Sequence, residues 1–436
     1  MKIMKNSSLK NGALAAGLLL FLAASCNDNP KNANSESAGI DSTAAENNTQ
    51  LTLPEGFSAT VFAEDLGEPR HLAVGESGKV FVKLNSVDDG NGILILSDED
   101  NDGQADEKQG FADYGGTGIA INGNKLYASS NSAVFSYDLD EEGMPANMEQ
   151  PDTIISGLID RRQHNSKSIA LDNSGNIYVN IGAYSNACQE QDRTKGSPGQ
   201  RPCPILDSAG GIWRFRADKL RQTYDGNSRF ATGLRNVVGL DWNTKNNQLF
   251  VLQHGRDQLH GMFPDMYSEE ESAELPAETM YALNEGDDAG WPYIYYDQNK
   301  NKKILAPEYG GDGEKTGAPE AIDPVVAFPG HMAPNALLFY TGDMFPAKYQ
   351  NGAFIAFHGS WNRAPEPQKG FFLAFVPFEN GRPSGEWEIF ADGFAGAETV
   401  ESPGDAEHRP TGLAQGPDGS LYVSDDAGGT VFKITY

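Results

Sequence analysis

The chain has 436 residues, with 61 acidic against 33 basic side chains and a formal net charge of −28. Such acidity argues against a nucleic-acid ligand and against docking on an anionic bilayer, since both would be repelled. The length allows one large core or several. Short, turn-bounded runs rich in Val, Ile, Tyr and Phe, without long helical periodicity, point to an all-β protein.

Residues 1–25 read as an export leader. Lys2, Lys5 and Lys10 precede an apolar run over 13–24 that is too short to span a bilayer comfortably. The run ends in Leu22-Ala23-Ala24-Ser25-Cys26, which resembles a bacterial lipobox with Ala23 where Leu is usual. Lipidation of Cys26 is therefore expected, with residues 26–50, polar and rich in Asn and Ser, as a flexible tether. This places the protein in the periplasm or at the outer membrane, touching the bilayer only through its anchor. Cys188 and Cys203 are the other two cysteines. In an exported chain they are expected to pair and to close the polar segment between them.

From residue 51 a phrase recurs: an apolar strand, a Gly- or Asn-bearing turn, and a strand with an aromatic or large aliphatic residue. It occurs at 72–84, 119–130, 169–182, 240–255, 339–359 and 413–426. Six such units predict a six-bladed β-propeller over 51–436. The segment 51–62 is expected to complete the blade that ends in Phe432-Lys433-Ile434-Thr435-Tyr436. The long connections 260–285 and 297–324 are expected as insertions on the face that carries the site.

Equivalent strand ends of a propeller converge on its central channel, so polar residues beside them become one pocket. His71, His164, His254, His331, His358 and His408 all lie beside a strand of the repeat, as do Arg235, Asn236, Arg363 and Arg409. The arginine forks suit carboxylates on a flat anionic ligand. No Gly-rich loop opens a helix, which argues against a dinucleotide or P-loop site. Asp98, Asp100 and Asp102 have the alternating oxygen donors of an EF-hand-like loop and form a possible second calcium site, or simply an acidic turn.

Several segments carry a family resemblance: HNSKSIALDNSGNIYVNIGAYSNAC, GLRNVVGLDW, GDDAGWPYIYYD, HMAPNALLFYTGDMFP, GAFIAFHGSWNR and RPTGLAQGPDGSLYVSDDAGGTVFKITY. Together they resemble the soluble glucose dehydrogenases dependent on pyrroloquinoline quinone (PQQ), and most closely the L-sorbosone dehydrogenase branch. The resemblance implies a six-bladed propeller that oxidises a sugar or related aldehyde with PQQ and Ca²⁺. It makes His164 the general base and Arg235 the group that stabilises developing negative charge. Asn236, His254, His331, Arg363 and Arg409 become cofactor contacts, with Arg363 in place of the family's lysine. The backbone carbonyls of Gly255 and Arg256 become calcium ligands. Gln163 stands where glucose-oxidising members have an aspartate, so the substrate is not expected to be glucose. With no CxxCH sequence, electrons are expected to leave to a separate acceptor, a cytochrome or the quinone pool. The alternatives are a calcium-dependent lactonase and a non-catalytic envelope propeller that binds glycans or proteins.

Overall fold

Alternation governs the second strand of each repeat. In Asn176–Ile181, Ile177, Val179 and Ile181 pack towards one neighbouring sheet and Tyr178 towards the other. In Val80–Asp88, Val80, Val82 and Leu84 likewise point one way and Phe81 the other. A strand apolar on both faces needs a sheet covered on both sides. The computed structural model, which describes residues 49–436, meets that need with six sheets arranged as a β-propeller, antiparallel but for the short parallel pairing of Gln222–Thr223 with Asp152–Ser156. The leader, the tether and Cys26 lie outside the described residues up to residue 48. No helix among the described residues is long and apolar enough to cross a membrane.

The inner strands of blades 1 to 6 are Pro69–Val74, Ile119–Asn122, Ile169–Leu171, Val237–Asn243, Pro334–Phe339 and Pro410–Gln415. Six apolar clusters alternate with the blades, each built from two neighbours, so the core is a ring of interfaces and not a single centre. Blade 6 is completed by the N-terminal strand Ser58–Ala63, which pairs antiparallel with Thr430–Thr435. The closing strand expected over 51–62 is thus present, starting a few residues later. In blade 5 the repeat phrase begins too late: the inner strand is Pro334–Phe339, and position 339 is its last residue. Its apolar residues Ala336, Leu337 and Leu338 lie before the long connection 340–352 that the phrase took in.

Part of the expected 260–285 insertion is the third strand of blade 4, Glu278–Leu283. The remainder holds a short helix, Glu269–Glu274, started by a capping box between Ser268 and Glu271. The second insertion carries the hairpin Ile294–Asp297 and Lys302–Leu305. It reaches blade 3, where the Tyr309 hydroxyl donates to the Ala187 carbonyl at 3.1 Å.

Candidate active site

Each inner strand starts at one end of the channel, and each second strand finishes there. Residues before the first and after the second therefore meet at one mouth. His164 precedes the inner strand of blade 3 and adopts a left-handed backbone, φ 53°. That conformation turns its ring back on the exit of the neighbouring strand, where Nδ1 hydrogen-bonds the Ala183 carbonyl. A carbonyl only accepts, so Nδ1 carries the proton and Nε2 keeps a free lone pair. Gly182 permits the approach: a Cβ there would lie 2.7 Å from His164 Cβ and 2.6 Å from its carbonyl oxygen. Burial, then the charge of Arg235, pushes the His164 pKa down to about 3. The imidazole is therefore neutral at pH 7.

Arg235 is buried and held on every side. Its guanidinium donates to the Gly255 carbonyl (2.8 Å), Asn186 Oδ1 (3.1 Å) and Asp257 Oδ2 (2.7 Å). Asp257 also accepts from Arg193 (2.7 Å) and from Asn362 Nδ2 (2.9 Å). Burial would raise the Asp257 pKa, but the guanidiniums of Arg235 and Arg193 hold it well below the carboxylate range. Asp257 thus joins blade 4, the loop of blade 3 and, through Asn362, the loop of blade 5. Asn362 also contacts His331 Nδ1 at 3.3 Å.

The Gly255 amide donates to Glu278 Oε2 at 2.9 Å, and burial pushes that carboxyl up to about 7. Asn236 Oδ1 is buried with no hydrogen-bond partner among the described residues. It faces Gly182, whose added Cβ would lie 3.1 Å away. His254 Nε2 faces the Pro334 carbonyl at 3.3 Å, and burial followed by Arg235 takes its pKa to about 3.

Cys188 and Cys203 are disulfide-bonded, with Cα atoms 6.1 Å apart. The loop they close carries Asp192 and Arg193 to the mouth. Gln163, beside His164, donates to Asp192 Oδ2 at 2.8 Å, and Asp192 Oδ1 accepts from Ser185 (2.6 Å) and from the Asn186 amide (2.9 Å). Asp192 therefore fixes the side chain of Gln163, the residue next to His164.

A second group forms across blades 5, 6 and 1. Arg409 donates to the His358 and Gly359 carbonyls at 3.1 and 2.7 Å. Asp426 pairs with both His358 and Arg70 at 2.7 Å. His71 Nε2 reaches the Asn335 carbonyl at 2.8 Å.

Three expectations need correction. The Arg363 guanidinium is committed to the carbonyls of Ala273, Gly330 and Pro367 and to Glu274 Oε1, so it fastens a loop and turns no free edge to a ligand. Both His331 Nε2 contacts are carbonyls, Ser272 at 2.9 Å and Leu275 at 3.0 Å, and its Nδ1 is with Asn362. Its two nitrogens are accounted for inside the protein. In the acidic loop it is Asp98, Asp100 and Asp106 whose oxygens come within 4.8 Å of one another, while Asp102 Oδ1 accepts from the Gln104 amide at 2.8 Å. The Arg256 side chain forms a buried pair with Glu308, at 2.6 Å to either oxygen. Sequence reading missed Asp257, Asn186, Arg193, Glu278 and Asn362. Asp257 was the nearest to legible, since it directly follows Gly255-Arg256.

Residues 51–436 match the family model described as TrAA12-like. The chain belongs to that family. It is 25% identical to the pyrroloquinoline quinone-dependent pyranose dehydrogenase of Coprinopsis cinerea over 88% of this chain and 54% of that protein. It therefore spans about half the length of that relative. The holo form of the PQQ domain of Coprinopsis cinerea pyranose dehydrogenase superposes with a TM-score of 0.67 at 20% identity, covering 90% of this chain and 98% of the domain. A calcium structure of the Trichoderma reesei AA12 enzyme gives 0.70 at 18% identity, over 88% and 96%. These two likenesses concern the fold.

Proposed function

We propose that this TrAA12-like protein is a PQQ- and Ca²⁺-dependent sugar dehydrogenase with His164 as general base. The observation that carries the reading is the imidazole held through Nδ1, which leaves Nε2 without a partner among the described residues, while burial and Arg235 disfavour its charged form. A hydroxyl bound at Nε2 can pass its proton there as its carbon is oxidised. Arg235, immobilised by three acceptors, needs no reorganisation to stabilise oxygen-centred charge nearby.

The residues fit a flat anionic quinone. Asn236 Oδ1 is a buried acceptor without a donor among the described residues, and Arg235 and Arg409, before the inner strands of blades 4 and 6, supply positive charge at the mouth. For Ca²⁺, the Gly255 carbonyl retains a lone pair beyond the one directed at Arg235, and Glu278, bonded to the Gly255 amide, is the buried carboxyl that can give up its proton to offset the cation's charge. When bound, PQQ supplies the two-electron acceptor for the hydride equivalent released with the proton. The reduced cofactor then needs a separate electron acceptor. A lactonase is disfavoured because the side-chain oxygens of Asn186 and Asp257, its natural metal ligands, face Arg235.

The Cys188–Cys203 bridge supports export, since such bonds persist in oxidising compartments. Cys26 lipidation remains part of this proposal; a palmitate label retained by wild type and absent from Cys26→Ser tests it. For the activity, protein is mixed with PQQ and Ca²⁺ and then screened against aldoses, ketoses and aldehydes with a dye acceptor. A stoichiometric absorbance change and substrate-dependent dye reduction are expected. Absence of both, with retained glycan binding, would instead favour the non-catalytic propeller.

A further inference from the structure

Trp361 is the most exposed large apolar side chain among the described residues, at 58%. A single exposed aliphatic on a surface needs no explanation. Trp361 differs because the backbone on either side of it is fixed. Ser360 is fully buried, its amide bonded to the Lys369 carbonyl at 2.9 Å and its hydroxyl to Gln368 Oε1 at 2.8 Å. Asn362 is held by Asp257, and Arg363 is buried in the contacts given above. The indole is therefore projected into solvent from a rigid loop, one residue from the side chain that touches the Asp257–Arg235 centre. It has no aromatic partner, whereas Trp387, on the same blade, stacks on Phe372.

We infer that Trp361 is a stacking platform for a sugar ring at the rim of the cleft, and that the substrate is an oligosaccharide or polysaccharide end. This rests on the dehydrogenase reading and names its substrate class. Asn362 faces the centre and Trp361 faces solvent. A ring lying on the indole is thus not the ring at His164 but one linked to it. The flat, apolar face of a pyranose matches an indole, whose ring offers a large rigid contact area, while the sugar's hydroxyls stay in water. Fixed neighbours lower the ordering cost of that contact.

The test measures kcat and KM for matched mono- and trisaccharides of glucose, mannose, galactose and xylose in wild type, Trp361→Ala and Trp361→Phe. Binding of the same trisaccharides to cofactor-free protein is followed by calorimetry. Expected is tighter binding of at least one trisaccharide than of its monosaccharide. In Trp361→Ala that preference falls about tenfold, carried by KM and not kcat, and Trp361→Phe restores much of it. Trisaccharide binding in cofactor-free protein that is weakened by Trp361→Ala supports the platform even where no sugar is oxidised, which would instead count against the dehydrogenase reading. Oxidation with no trisaccharide preference, or with a preference that Trp361→Ala leaves intact, overturns the inference.

Discussion

His164 and His408 lie at the same mouth of the propeller, and their surroundings push them in opposite directions. His164 bonds only a carbonyl, is desolvated, and has Arg235 beside it, so its charged form is disfavoured. His408 Nδ1 pairs with Asp425 Oδ2 at 2.7 Å, and that bond raises its pKa despite partial burial. His358 shows that a carboxylate partner is not sufficient: it also pairs with an aspartate, Asp426, yet burial outweighs the pairing and lowers its pKa. A histidine kept neutral is available to accept a proton, whereas one held by a carboxylate at the rim serves as a clamp.

Removing the neutral member should break the contrast most severely. His164→Ala is expected to lower kcat/KM for sugar oxidation by about 10²–10⁴-fold, with circular dichroism and PQQ binding retained. A dye-reduction rate equal to wild type would remove His164 from the role of base.

Asp257→Ala acts on the charge that keeps Arg235 in place. It leaves Arg235 and Arg193 without their carboxylate, and breaking such a buried pair is worth about 3–5 kcal/mol. Urea unfolding should show the loss, together with a fall in activity. A variant as stable as wild type would mean that Asn186 and Gly255 alone hold the guanidinium.

Opening the loop that brings Arg193 inward should have a smaller effect. Cys188→Ser with Cys203→Ser is expected to lower stability by about 2–4 kcal/mol through loop closure alone. It should also raise KM, because Asp192 and Arg193 are no longer presented to Gln163 and Asp257. An unchanged KM would separate the loop from the site.

The smallest effect belongs to His408. Its folded pKa lies above the ordinary 6.5, so its pairing stabilises the protein fully below that pH and fades as pH rises through the folded value. Because the group is partly exposed, the stake is under about 1 kcal/mol. The difference in melting temperature between wild type and His408→Gln should be visible near pH 6 and shrink towards pH 9. A difference that grows with pH would reverse the assignment.

Much of the architecture was legible because it is local. A turn flanked by alternating apolar residues specifies a strand pair, and six such pairs specify a ring; blade 5 blurred because a long connection, 340–352, replaces the tight turn between its first two strands. Arg235 and Asn236 drew attention because they directly precede an inner strand, and His164 because it lies five residues before one. Arg363 and His331 sit in similar sequence contexts, yet their side chains turn into carbonyls of the 272–275 segment and of 330. Which way a loop side chain turns depends on acceptors contributed by distant residues, and no local pattern encodes it. Asp257 was missed for the same reason: its importance comes from Arg193 and Asn362, brought to it by two other blades.

Blade 6 has one more consequence. Three of its strands come from the end of the chain and the fourth, Ser58–Ala63, from near the beginning. That strand can find its partner only once the last strands of the chain are available, so blade 6 closes after the other blades. Until then both ends of the ring expose unpaired sheet edges, a state that invites pairing between nascent copies. Arg409 and Asp426, both in this last blade, join blades 5 and 1 only once the circle is complete. The Arg409–Asp426 group is therefore completed last, and a chain truncated before Thr430–Thr435 is expected to lose the closure of blade 6 against Ser58–Ala63.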